Sequence, residues 1–91
     1  MNRRAILDTA TTIITKDRAT THGDAESSFE ALAKIWSVLL GVEVKTYQVA
    51  LMMAALKMVR ANGNPSYDDN WIDLAGYAAC GGEIATGGVL V

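Results

Sequence analysis

The stretch TYQVALMMAALKMVRANG, residues 46–63, decides the fold. Val49, Met52, Met53, Leu56 and Val59 recur at i, i+3 and i+4 spacing, which is the period of one helix face. Thr46 is placed to cap this helix and Asn62-Gly63 to stop it, so the spacing predicts a helix over 46–62. Upstream, Gly41 closes a helix over 24–40 that opens at Asp24 and carries Phe29, Leu32, Ala33, Trp36, Leu39 and Leu40 as an apolar stripe. Downstream, Asn64-Pro65-Ser66 marks a turn, and a helix over 68–84 begins with acidic residues in its positive first turn. Ala75, Gly76, Ala79 and Gly82 set small residues along one side of it, where another helix can come close. Ile6, Leu7, Ala10, Ile13 and Ile14 predict a first helix over 3–15 despite four threonines, with 16–23 a polar loop and 86–91 a frayed or partner-bound tail. The expected architecture is all-α: one compact bundle of about four helices.

Composition bounds the rest. With 91 residues, 51% hydrophobic, 20% charged and a single proline, the chain has room for one core and is expected to order around it. A monomer of this size buries only about 60% of its unfolded surface, so so high an apolar fraction predicts a homo-oligomer. The formal net charge of −2 offers no basic face for DNA or RNA. Cys80 is the sole cysteine, which rules out an internal disulfide and fits a reducing compartment. Asp8 and the following threonines interrupt the short apolar start that would otherwise suggest a signal peptide. The longest uncharged apolar run, Val49 to Leu56, falls far short of the roughly 20 residues that cross a bilayer. No membrane span is expected, and the cytosol is the expected location.

Three constellations bear on chemistry. Glu26 and Glu30 stand four apart near one helix start, and Asp69 and Asp73 repeat that spacing near another. Facing each other, the two pairs would offer hard oxygen ligands to Mg²⁺, which in turn binds phosphate oxygens; standing apart, they are ordinary acidic residues of first helical turns. Lys57 and Arg60 share a side of the third helix and either hold a phosphate or form ion pairs. Arg18, His22 and Gly23 lie in a loop rich in hydroxyls just before a helix N-terminus, a natural anion position, although His22 reads equally as a loop residue bonded to backbone. Trp36, Trp71 and Tyr77 read as helix-packing residues, and Cys80 as a small buried hydrophobe.

The pattern His22-Gly23-Asp24, then Lys57-Met58-Val59-Arg60, then Asp69-Asn70-Trp71-Ile72-Asp73-Leu74-Ala75-Gly76-Tyr77 resembles a family of small bacteriophage and prophage proteins over about residues 5 to 85. That family in turn looks like the nucleotide modification-associated domains and, more distantly, the MazG-like all-α pyrophosphohydrolases. MazG-like enzymes carry two acidic helices, patterned Glu-Glu-x-x-Glu and Glu-x-x-Asp, that bind Mg²⁺ and let water cleave a nucleoside triphosphate between its α and β phosphates. Glu26 and Glu30 match the outer positions of the first pattern and Asp73 the aspartate of the second. Ser27 replaces the second glutamate, Asn70 stands where the second pattern has Glu with Asp69 beside it, and a whole helix intervenes.

The resemblance implies a phage-encoded protein of the host cytosol that binds a nucleotide or cyclic nucleotide. Glu26, Glu30, Asp69 and Asp73 would hold Mg²⁺, with Glu30 and Asp73 catalytic. Arg18, His22, Gly23, Lys57 and Arg60 would meet the phosphates. Hydrolysis with the pattern intact would make the protein an Mg-dependent pyrophosphohydrolase. With hydrolysis lost, the alternative is a counter-defence protein that sequesters a signalling nucleotide or binds a host protein.

Overall fold

The computed structural model describes residues 1–17 and 25–88. Among them are four α-helices and no strand. The first, α1 (Arg3–Thr12), starts where the Asn2 side-chain oxygen accepts a hydrogen bond from the Ala5 N–H at 2.8 Å. The hydroxyls of Thr11, Thr12 and Thr15 then donate to the carbonyls of Leu7, Asp8 and Thr11. Such back-bonding competes with the regular ladder and bends helices, and here the backbone widens into a π-helical segment, Ile13–Asp17. The expected helix over 3–15 is therefore an α-helix continued by a π segment, which takes in Lys16 and Asp17. The remainder of the expected loop, with Arg18, His22, Gly23 and the Asp24 cap, lies outside the described residues.

The second helix, α2 (Ala25–Leu40), ends at Gly41, whose φ of +70° needs a residue without Cβ. Its link to the third helix is held by one hydroxyl. Ser37 Oγ donates to the Ala33 carbonyl at 2.6 Å and accepts from the Val44 N–H at 2.8 Å. The third helix, α3 (Thr46–Gly63), is capped at Lys45 rather than Thr46, because Gln48 Oε1 reaches back to the Lys45 N–H at 2.8 Å. A turn braced by the Trp71 indole N–H donating to the Pro65 carbonyl, 2.9 Å, leads to α4 (Asp68–Thr86). Trp71 was expected in the core; it is 42% exposed and serves the turn instead. The last helix ends in a Schellman pair, Gly87 N–H to the Ile84 carbonyl and Gly88 N–H to the Glu83 carbonyl, with Gly87 left-handed. Residues 86–88 are thus a capped helix end rather than a frayed tail, and 89–91 lie outside the described residues.

The core joins Phe29 and Ala33 of α2 to Val49 and Ala50 of α3, with Leu32, Trp36, Met53, Tyr77, Cys80 and Ile84 packed around them. α3 and α4 run antiparallel along a seam of small residues. A Cβ built on Gly81 would sit 3.0 Å from the Cβ of Ala50, and one built on Gly76 would sit 3.2 Å from Ile14 Cγ2. Close approach therefore occurs at Gly76 and Gly81, whereas Gly82, expected on the small-residue side, faces open space. The same seam corrects the face assigned to α3. Its buried residues are Val49, Ala50, Ala54 and Ala61, while Met52, Leu56 and Val59 are exposed. Ala50 faces α4 where Gly81 lets the two helices come so near, and Val49 and Met53, also expected inward, do join the core.

An acidic cavity between the second and fourth helices

α2 and α4 present matching helical rows to one another. On α2 the row is Glu26, Phe29, Glu30 and Ala33; on α4 it is Asp73, Gly76, Tyr77, Cys80, Glu83 and Ile84, at i, i+3, i+4, i+7, i+10 and i+11. Phe29 and Tyr77 meet with ring centroids 6.0 Å apart, which ties the two rows together at mid-height.

Toward the C-terminal end of α4 lies a cavity of about 330 Å³ lined by Ile14, Glu26, Ser27, Glu30, Cys80, Glu83 and Ile84. Three of these seven residues are glutamates. The volume falls at the lower end of the range for small-molecule sites. A neighbouring crevice shares Ile14 and Cys80 with it and is lined further by Ala10, Ile13, Phe29, Ile72, Asp73, Gly76 and Tyr77. It measures only about 40 Å³, room for a water-sized group.

The expected site residues divide accordingly. Glu26 and Glu30 stand together on the cavity wall, and Glu83 faces them from α4. Asp73 lines the crevice and pairs with Lys57, Nζ to Oδ2 2.9 Å, with the two side chains 13% and 35% exposed. The burial of this pair makes Lys57 an ion-pair partner, one of the two roles its position on the helix allowed. Asp69 turns away and accepts the Tyr67 hydroxyl at 3.1 Å. That hydrogen bond and the adjacent charge raise the Tyr67 phenol above its ordinary value, with smaller contributions from desolvation and Asp73 and an opposing one from Lys57. Arg60 is exposed on α3. The four carboxylates expected around one ion are therefore not brought to a single point, and no three metal-ligating side chains converge among the described residues.

Glu83 was not singled out by sequence reasoning. It lies ten residues beyond Asp73, in helical register with it, but Gly81 and Gly82 intervene and weaken any expectation that the helix persists so far. Carboxylates suit Mg²⁺ chemically, and Mg²⁺ characteristically takes one or two protein carboxylates and completes its shell with waters and substrate phosphates. Glu26 and Glu30 stand one turn apart on α2, and Glu83 lines the same cavity from α4.

The fold and cavity define a small all-α protein with an acidic pocket between two helices. By sequence the chain belongs to the family described as a domain of unknown function (DUF6378), whose profile matches residues 5–85. It is 41% identical over 75 residues to the Gene 55 protein of Mycobacterium phage L5 and 32% identical over 76 residues to the Gene 55 protein of Mycobacterium phage D29. Those alignments cover 81% and 84% of this chain but 48% and 50% of the phage proteins, so the chain spans about half the length of the curated relatives it matches. The expected kinship with small phage proteins is borne out at that level. No solved structure matches the chain. No helix among the described residues is long and apolar enough to cross a membrane.

Proposed function

We propose that this phage protein binds a nucleotide through Mg²⁺ in the cavity between α2 and α4. The observation that carries the reading is the meeting of Glu26, Glu30 and Glu83 on the walls of one ligand-sized space. A triphosphate is repelled by three carboxylates, since like charges at close range are unfavourable. Bound Mg²⁺ would supply the positive charge that joins the two and would draw electron density from the phosphate oxygens. Glu26 and Glu30, one helical turn apart on α2, would hold it, and Glu83 would orient a water and accept its proton. Attack of that water on the α phosphorus would break the α–β anhydride and release a nucleoside monophosphate and pyrophosphate. This is the reaction of the MazG-like enzymes, and the kinship to them is part of the proposal.

Within it, Asp73 is reassigned from ligand to positioning residue, since its carboxylate is committed to Lys57. The same commitment favours a second reading, in which the site holds a nucleotide or cyclic nucleotide without hydrolysing it and so acts as a counter-defence sponge. The deciding experiment is mass spectrometry of the protein incubated with nucleoside triphosphates and cyclic dinucleotides plus Mg²⁺. Conversion to a monophosphate, lost in Glu30→Gln and Glu83→Gln variants that still fold, supports hydrolysis. Retention of an intact ligand, lost in the same variants, supports sequestration. A wild-type protein that neither retains nor converts any of them refutes both readings.

A further inference from the structure

The acidic cavity does not end at Glu30. That residue also lines a groove of about 600 Å³ between α2 and the start of α3, so the two spaces adjoin across one side chain. On the α2 side the groove carries Lys34, one helical turn beyond Glu30, and on the α3 side it carries Lys45 and Thr46. Neither lysine makes an ion pair among the described residues. The charged residues of the groove are Glu30, Lys34, Glu43 and Lys45. A cation held at Glu30 neutralises that carboxylate and leaves two positive charges against one. Thr46 also opens an 18-residue helix, whose N-terminus adds a partial positive charge at the same place.

We propose that this groove receives the terminal phosphates of a linear nucleoside polyphosphate, with Lys34 and Lys45 as their partners. The inference rests on the reading of the acidic cavity as an Mg²⁺–nucleotide site and names the class of its ligand. Ile14, Cys80 and Ile84 give the cavity an apolar side suited to a nucleoside, Glu30 stands at the junction with the metal, and the lysines lie beyond it. A phosphate chain that starts at the metal therefore runs from carboxylates towards cations. Lysine suits its far end, because a compact ammonium meets a phosphate as a point charge and needs no fixed fork geometry. Cavity and groove together reach the upper part of the roughly 300–1,000 Å³ range of ligand sites, which gives an extended chain room. A monophosphate or a cyclic dinucleotide has no terminal phosphates to reach the lysines. In the hydrolytic reading the lysines face the departing pyrophosphate, whose negative charge grows as the α–β bond breaks.

The test is calorimetric titration, in Mg²⁺ at low salt, of the wild-type chain and a Lys34→Gln, Lys45→Gln double variant. The probes are inorganic tripolyphosphate, the α,β-methylene analogues of the nucleoside triphosphates, the matching monophosphates and cyclic dinucleotides. Both lysines are exposed, so the double variant is expected to keep its helical circular dichroism. It is expected to bind tripolyphosphate and the triphosphate analogue that the wild type prefers about tenfold more weakly, and the monophosphate equally well. Unchanged affinity for the triphosphate analogue in the double variant, with binding abolished in Glu30→Gln, overturns the groove and leaves the cavity reading standing. A cyclic dinucleotide held more tightly than every linear analogue overturns the ligand class. A wild type that binds none of the probes overturns the inference together with the reading on which it rests.

Discussion

Two identical substitutions one residue apart in α4 are expected to differ in their effect on stability. Replacing glycine by alanine inside a helix gains about 1 kcal/mol from the backbone, whatever the surroundings. At Gly82 nothing lies within 4 Å of the new methyl, so Gly82→Ala keeps that gain. At Gly81 the methyl would meet the Cβ of Ala50 at 3.0 Å, with the Tyr47 carbonyl oxygen at 3.8 Å. Carbon atoms prefer roughly 3.5–4.0 Å, and a Cβ attached to a buried helix cannot swing aside as the end of a long side chain can. Either the seam opens by a few tenths of an ångström or contacts around Val49 and Ala50 are lost, and overpacking of this kind costs about 1–3 kcal/mol. Gly81→Ala should therefore be neutral to about 2 kcal/mol destabilising, a difference of about 1–3 kcal/mol from Gly82→Ala. In a domain of this size each kcal/mol moves the melting temperature by about 4–8 °C. Thermal melts of the two variants beside the wild type measure it. If Gly81→Ala raises the midpoint as much as Gly82→Ala, the reasoning about the α3–α4 seam is wrong.

Two further outcomes are expected. Ser37→Ala removes the acceptor of the Val44 N–H and the link between α2 and the loop before α3, at a cost of about 1–2 kcal/mol by urea denaturation; an unchanged midpoint would show that the loop is held by something else. Tyr67, with its phenol pKa raised beside Asp69, favours its neutral form in the folded chain, so the linked stability is present below the ordinary phenol pKa and is lost as pH climbs through the raised value. Ultraviolet titration should show a tyrosine ionisation that Asp69→Asn moves to lower pH; a titration curve unmoved by that substitution would contradict the hydrogen bond.

Much of the candidate site was half-legible in the sequence. Glu26 and Glu30 are neighbours because a helix makes residues four apart neighbours, and nothing further was needed to pair them. Whether Asp69 and Asp73 would join them was beyond local rules. Asp73 is claimed by a lysine from another helix, and Asp69 by a tyrosine two residues away. Glu83 enters the cavity only because α4 continues through Gly81-Gly82, and it continues there because Gly81 is the residue that allows α3 to pack close. The glycine that looked like a helix weakness is a packing requirement.

The sequence by itself determined four helical segments, their approximate ends and the absence of a membrane-crossing stretch, since each follows from the spacing of apolar residues and from glycine, proline and asparagine stops. It did not determine which face of α3 is inside. Apolar residues stand on more than one face of α3, so its periodicity has no single inward face, and the large residues Met52, Leu56 and Val59 looked like core because they are the more hydrophobic. Only the tertiary structure decides otherwise: shape outweighs hydrophobicity where two helices must nearly touch, so Ala50 turns inward against Gly81 while Met52, Leu56 and Val59 are left at the surface.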